Sequence, residues 1–265
     1  MNSYKKNYLI NKMKHAKAYL FGLNYSKEKK VRLQGCINDV NNMGKFLKDK
    51  KIVDKIEIYT DESNLDETSA SGMKKKINEI SKTTWKEKLK LVWIHYSGHG
   101  TSILDKENDE KDGKDECLVP WDYTSAGVIK DDDIRKLLAT FNPVTRIVLI
   151  FDCCNSGTMG DLNYSWKKRI PKVENIQGTI LSPVISISGC LDNQTSADAY
   201  NVDGSKQYTG ALTSCLLIVL NKNYKSRLFD FVEQLENELK KKGFQQRPKL
   251  CSSFKLSKKT SLFVD

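Results

Sequence analysis

No stretch of the 265-residue chain stays apolar for anything near the roughly 18 residues a membrane-spanning helix needs, so no membrane partner is expected. Internal repeats and low-complexity tracts are also missing. Met1 to Lys17 is basic, but no apolar core or small-residue cleavage site follows, and a secretory signal is not expected. No Cys and His spacing matches a zinc site, and the D-x-D-x-D-G run of an EF-hand is absent. The seven cysteines are an odd number, two of them adjacent and most within strand-like or helix-like runs. That argues against a disulfide framework and for free thiols in a reducing, cytoplasmic compartment. The net charge is +11, yet the basic residues are scattered, with no stripe interleaved by aromatics. They read as a solvated surface, and no specific nucleic-acid partner is expected.

What is present is enough apolar content, 39%, to bury one sizeable core. Strand-like and helix-like runs alternate. Lys17–Asn24, Lys55–Thr60, Leu89–Ile94, Arg146–Phe151 and Pro183–Ser188 read as strands, with a last strand at Pro248–Phe254. Asn38–Asp49, Asp66–Ser81, Asp131–Thr140, Gly210–Asn221 and Leu228–Lys242 read as helices; Val40, Met43, Phe46 and Leu47 form an inward stripe on the first, and Met73, Ile77 and Ile80 on the second. This order predicts an α/β fold with a mainly parallel sheet covered by helices on both faces. Residues 104–116 are highly charged and read as a loop, and 158–181, with little periodicity, read as a long loop.

Two runs carry chemistry. His95-Tyr96-Ser97-Gly98-His99-Gly100 ends one buried strand, and Asp152-Cys153-Cys154-Asn155-Ser156-Gly157 ends another. Parallel strands ending at one sheet edge bring a histidine and a cysteine together where open α/β sheets place their sites. An imidazole beside a thiol takes its proton and later returns one to a leaving group. Strand alternation puts Asp152 and Cys154 on one face and Cys153 on the other, and gives His95, Ser97 and His99 one parity. His99, flanked by glycines, is the expected base; His95 reads as a satisfied core histidine.

These runs resemble the signature of the metacaspases, relatives of the caspases. Leu33-Gln34-Gly35-Cys36-Ile37-Asn38-Asp39 and Ser188-Gly189-Cys190-Leu191-Asp192-Asn193-Gln194-Thr195-Ser196-Ala197-Asp198 resemble two further family motifs. Asn155 stands where the family usually has His. The resemblance implies a single caspase-like domain over 1–265. It has a large-subunit-like part at about 16–157, the long loop, and a small-subunit-like part at about 182–265. It implies Cys154 as nucleophile, His99 as general base, Gly100 and Cys154 as oxyanion donors, and a substrate pocket made by Cys36, Asp39, Ser97 and Asp152. Two pocket carboxylates suit a substrate Arg or Lys, so protein or peptide substrates cut after those residues are expected.

An acidic set, Asp112, Asp115, Glu116, Asp131, Asp132, Asp133 and Asp161, consists of the carboxylate oxygens that calcium prefers. By resemblance to calcium-dependent metacaspases, Asp115, Asp131, Asp132 and Asp161 would hold an activating Ca2+. Asp192 is expected to add charge near the pocket. Lys167, Lys168, Arg169 and Lys172 are self-cleavage candidates, in a loop that related enzymes lay across the cleft as zymogens. A monomer is expected. The alternative reading is a catalytically weak or inactive member acting as a binding or scaffold protein.

Overall fold

The computed structural model describes residues 15–104, 113–154, 157, 159–174, 180–190, 198–200, 202 and 206–263. Its strands are β1 (Ala16–Gly22), β2 (Lys55–Thr60), β3 (Leu91–Ser97), β4 (Gly100–Leu104), β5 (Lys114–Leu118), β6 (Ile129–Lys130), β7 (Arg146–Asp152), β8 (Tyr164–Lys167), β9 (Ile170–Val173), β10 (Val184–Cys190), β11 (Asp198–Tyr200), β12 (Tyr208–Gly210) and β13 (Arg247–Ser252). The helices are α1 (Cys36–Asp49), α2 (Leu65–Thr68), α3 (Ala70–Glu87), α4 (Tyr123–Ala126), α5 (Asp131–Leu138), α6 (Ala211–Asn223) and α7 (Leu228–Lys241).

Eight strands form one sheet in the order β2-β1-β3-β7-β10-β13-β8-β9. The first five run parallel, and β13, β8 and β9 then alternate in direction. Whereas β2 at the sheet edge is half-exposed and alternates, β1, β3, β7 and β10 are buried along almost their whole length, which is why they read as continuous apolar runs. Alternation divides them cleanly. Leu20, Trp93, Val148, Ile150 and Ile187 pack with α1, α6 and α7, while Phe21, Ile94, Leu149 and Phe151 pack with α3 and α5. This is the caspase-like α/β arrangement that the sequence predicts.

Three expectations change. The helix expected over 66–81 is broken at Ser69, whose hydroxyl caps α3 by accepting the Gly72 N–H, and α3 then continues to Glu87. Its last turns are polar on the outside, with Trp85 exposed, so the apolar period ends before the helix does. The charged loop expected at 104–116 is bounded by paired strands, since β4 and β5 join Leu104 to Lys114; residues 105–112 lie outside the description. Nor is 158–181 one long loop. Its centre is the β8–β9 hairpin, pinned by Trp166, which donates to Ser252 Oγ at 2.8 Å and packs on Phe229. Strands on an outer edge expose one face and can carry polar residues, so this hairpin has no apolar run to reveal it.

Candidate active site

β3 and β7 lie side by side with Ser97 level with Asp152, and the Gly98 N–H donates to the Asp152 carbonyl at 3.3 Å. The two chemistry-bearing segments therefore leave the sheet together. They touch at Gly100. A Cβ added there would stand 2.0 Å from the Cys154 carbonyl oxygen and 3.2 Å from Cys153 Sγ, so only glycine permits this approach.

The thiols separate by environment. Cys153 is buried in the core beside Phe151 and Met159, whereas Cys154 is half-buried. Burial pushes the Cys117 and Cys215 thiols up to about 12, leaving them un-ionised at neutral pH.

His95 and Ser97 face α1 and α6, as their parity requires. His99 does not share that face. The turn at Gly98 carries its ring to Tyr25, a member of the opposite core, with ring centroids 4.7 Å apart. The expected common parity fails because the strand ends at Ser97. His99 Nε2 lies 2.7 Å from the Val31 carbonyl oxygen. A carbonyl only accepts, so Nε2 carries the proton and, in the neutral ring, Nδ1 keeps the lone pair. His95 is fully buried; its Nε2 meets the Thr213 hydroxyl at 3.1 Å, and its Nδ1 has no hydrogen-bond partner among the described residues. Burial depresses its pKa to about 3.

Three of the four pocket candidates, Asp39, Ser97 and Asp152, come together at the other side of β3 and β7, whereas Cys36, at the start of α1, packs in the opposite core with Tyr25 and Leu33. All four are at most 2% exposed. Ser97 Oγ donates to Asp39 Oδ2 at 2.6 Å; the Gly210 N–H donates to both Asp39 oxygens, at 2.8 and 3.0 Å; the Thr213 N–H donates to Asp152 Oδ2 at 2.8 Å. A Cβ on Gly210 would fall 2.2 Å from Asp152 Oδ2 and 2.7 Å from Asp39 Oδ2. Two carboxylates thus converge on one glycine at the N-terminus of α6, where unpaired N–H groups and the helix dipole favour negative charge. Gly210, Thr213, Tyr25 and Val31 carry no signal in the sequence, because each acts through a contact distant along the chain.

The acidic set occupies β5, the start of α5 and the segment before β8. Asp115, Asp131 and Asp161 are buried. Asp131 accepts the N–H groups of Glu116 and Asp132, each at 3.0 Å, and Asp132 pairs with Lys136 at 3.8 Å. Lys130 Nζ forms an ion pair with Asp115, and Arg135 donates to the Asp161 carbonyl. Among the described residues no three acidic, His or Cys side chains form a group that could hold one ion. The donors suit a hard cation in kind, all being carboxylates, but Lys130 already neutralises one of them.

Lys167, Lys168, Arg169 and Lys172 are exposed on the β8–β9 hairpin, with Lys168 in the left-handed region at φ 56° and Arg169 paired to Asp230 at 2.7 Å. The turn is therefore not a loop across the cleft: β8 stands three strands from β7, about 14 Å away at the usual strand spacing. Asp112, Asn155 and Asp192 lie outside the described residues. Among those described, no helix is long and apolar enough to cross a membrane.

Comparison with known proteins places this arrangement. The metacaspase, peptidase C14 domain family matches residues 16–163. Metacaspase-2 of Trypanosoma brucei brucei is 33% identical over 257 residues, covering 89% of this chain and 73% of the relative. Metacaspase-2 of Arabidopsis thaliana is 35% identical over 227 residues, covering 78% and 52%. Among solved structures, protein GSU0716 from Geobacter sulfurreducens superposes with a TM-score of 0.63 over 91% of this chain and 94% of its own, at 22% identity, a likeness of fold alone.

Proposed function

Since the chain belongs to the metacaspase family and is a cysteine peptidase, we propose that it cuts protein substrates after Arg or Lys, with Cys154 as nucleophile and His99 as proton carrier. His99 Nδ1 takes the proton from Cys154 Sγ. The thiolate attacks the scissile carbonyl carbon while the N–H groups of Gly100 and Cys154 receive the developing oxyanion. The imidazolium then gives its proton to the leaving amine, and the bond breaks to leave a thioester. Water, deprotonated by the same Nδ1, hydrolyses it. The Val31 carbonyl, holding Nε2–H, keeps the tautomer that this sequence of transfers needs.

The observation that carries the specificity is the convergence of Asp39 and Asp152 on Gly210. A substrate guanidinium would add a positive partner to two buried carboxylates, whereas a substrate Asp would meet like charge and stay unpaired. Both carboxylates are closed off from solvent here, so entry requires the β11–β12 hairpin, which ends at Gly210, to shift. A calcium ion held by Asp115, Asp131, Asp132 and Asp161 would require these side chains, which form no ready-made site among the described residues, to draw together, and Lys130 to leave Asp115. Its cytoplasmic setting and monomeric state are part of the same reading.

Fluorogenic peptides ending in Arg, Lys or Asp, assayed with calcium or with excess chelator, test the proposal, with Cys154→Ala as the blank. Turnover of the basic peptides that falls in chelator is the expected result. Equal turnover of the Asp peptide overturns the specificity, and full activity in chelator overturns the calcium requirement.

A further inference from the structure

The imidazole of His99 can be aimed only if its backbone is held once β3 has ended at Ser97. Past Ser97 the chain leaves the β3–β7 ladder, and the peptide groups of His99 need new partners. Two buried tyrosines provide them. The His99 N–H donates to Tyr25 Oη at 2.9 Å, and the His99 carbonyl accepts from Tyr96 Oη at 2.8 Å and from the Val119 N–H at 3.2 Å. Tyr25 Oη donates to the Val119 carbonyl at 2.6 Å, leaving its lone pairs for the His99 N–H. Tyr96 Oη has one proton and three acceptors in reach, the His99 carbonyl at 2.8 Å, the Val119 carbonyl at 2.9 Å and Tyr25 Oη at 3.1 Å, and the His99 contact is the shortest. Tyr25 and Tyr96 are 3% and 1% exposed, so no water competes.

Tyr25 is itself fixed. Asp61, at the end of β2, accepts the N–H groups of Asn24 and Tyr25 at 2.9 and 2.5 Å. The loop that begins there folds back, with Glu28 N–H on the Tyr25 carbonyl and Val31 N–H on the Glu28 carbonyl. That loop delivers the Val31 carbonyl to His99 Nε2 and the Tyr25 ring to the imidazole face.

We propose that Tyr25 and Tyr96 are positioning residues for His99, their hydroxyls gripping the two ends of its peptide so that the ring is aimed before substrate arrives. The inference rests on the assignment of His99 as the base. Burial raises both phenols well above their ordinary range, so the grip does not titrate over the working pH of a peptidase. Any change of pH profile in a Phe variant therefore reports on His99 and Cys154 rather than on lost phenol ionisation.

Tyr25→Phe keeps the ring over His99 and removes only the hydroxyl. The test is kcat and KM for an Arg-ending fluorogenic peptide between pH 5 and 9, the rate of Cys154 alkylation by iodoacetamide at pH 6.5, and Tm. The expected result is a fall in kcat of about 10- to 100-fold, KM little changed, slower alkylation and a shifted acidic limb. A lower Tm with unchanged kcat, limb and alkylation would mean that the hydroxyl only stabilises the fold, and would overturn the proposal. Tyr96→Phe is read by the same criteria and decides the matter if Tyr25→Phe does not fold. His99→Ala separates the two levels: an active His99→Ala enzyme overturns the base assignment, whereas an inactive one beside an unaffected Tyr25→Phe overturns the grip alone.

Discussion

Gly100→Ala tests whether the two catalytic segments really meet. The added methyl would lie 2.0 Å from the Cys154 carbonyl oxygen and 3.2 Å from Cys153 Sγ. Ordinary carbon contacts need about 3.5 Å, so one segment must retreat by more than about 1 Å. The obstacle is backbone, which cannot rotate away as a side-chain tip could. Cys153 behind it is locked in the core. Overpacking of this kind costs about 1–3 kcal/mol, a fall in Tm of roughly 2–10 °C for a chain of this size. The effect on catalysis is larger, because a misplacement of about 1 Å between reacting groups costs about 100-fold. The assay is kcat/KM on an Arg-ending peptide at a temperature where the variant is folded, alongside thermal unfolding. Gly189→Ala is the control: its Cβ would meet nothing nearer than 3.5 Å, and near wild-type kinetics are expected. A Gly100→Ala enzyme within about threefold of wild type would refute the contact, since a displacement of this size is not catalytically silent.

Cys154→Ala is expected to abolish turnover while Cys153→Ala leaves most of it; a dead Cys153→Ala beside an active Cys154→Ala would reverse the assignment. His95 titrates near 3 when folded against 6.5 when free. Between those values the unfolded chain binds the extra proton, so stability falls as pH drops below about 6.5, by up to about 1.4 kcal/mol per unit. Urea unfolding of the native protein should therefore lose about 2–3 kcal/mol more between pH 7 and 4.5 than His95→Phe does, and equal losses would show that His95 is not the group responsible. With calcium, cleavage at Lys167, Lys168, Arg169 or Lys172 should give fragments of about 19 and 11 kDa at an exposed turn. Because that turn lies away from the cleft, the rate should rise with enzyme concentration. A rate independent of concentration would mean the hairpin reaches its own active site.

β1, β3, β7 and β10 were legible because each is a short apolar run buried on both faces, and its length and β-branched or aromatic content favour a strand over a buried helix; the edge strand β2 was legible from its alternation. The catalytic edge was legible because His99 and Cys154 follow those runs directly. His99's orientation was not, since alternation holds only while the strand lasts. The attachment of α6 was also hidden. Gly210 meets Asp39 across 171 residues of chain, and Thr213 meets Asp152 across 61. Neither Gly nor Thr advertises such a role. The β8–β9 hairpin escaped because an edge strand with one wet face can be mostly polar and still pair.

That hairpin has a topological consequence. A cut at its turn would divide the strands into β1–β8 and β9–β13, yet the sheet runs β2-β1-β3-β7-β10-β13-β8-β9. The earlier fragment's last strand would stay inserted between two strands of the later one, and the later fragment's β10 would stay against β7. The products would be interlaced rather than abutting. Neither could leave without three strand interfaces opening at once. A nicked molecule would therefore persist as a non-covalent heterodimer, with its new chain ends at the periphery and its catalytic edge still spanned by hydrogen bonds from both pieces.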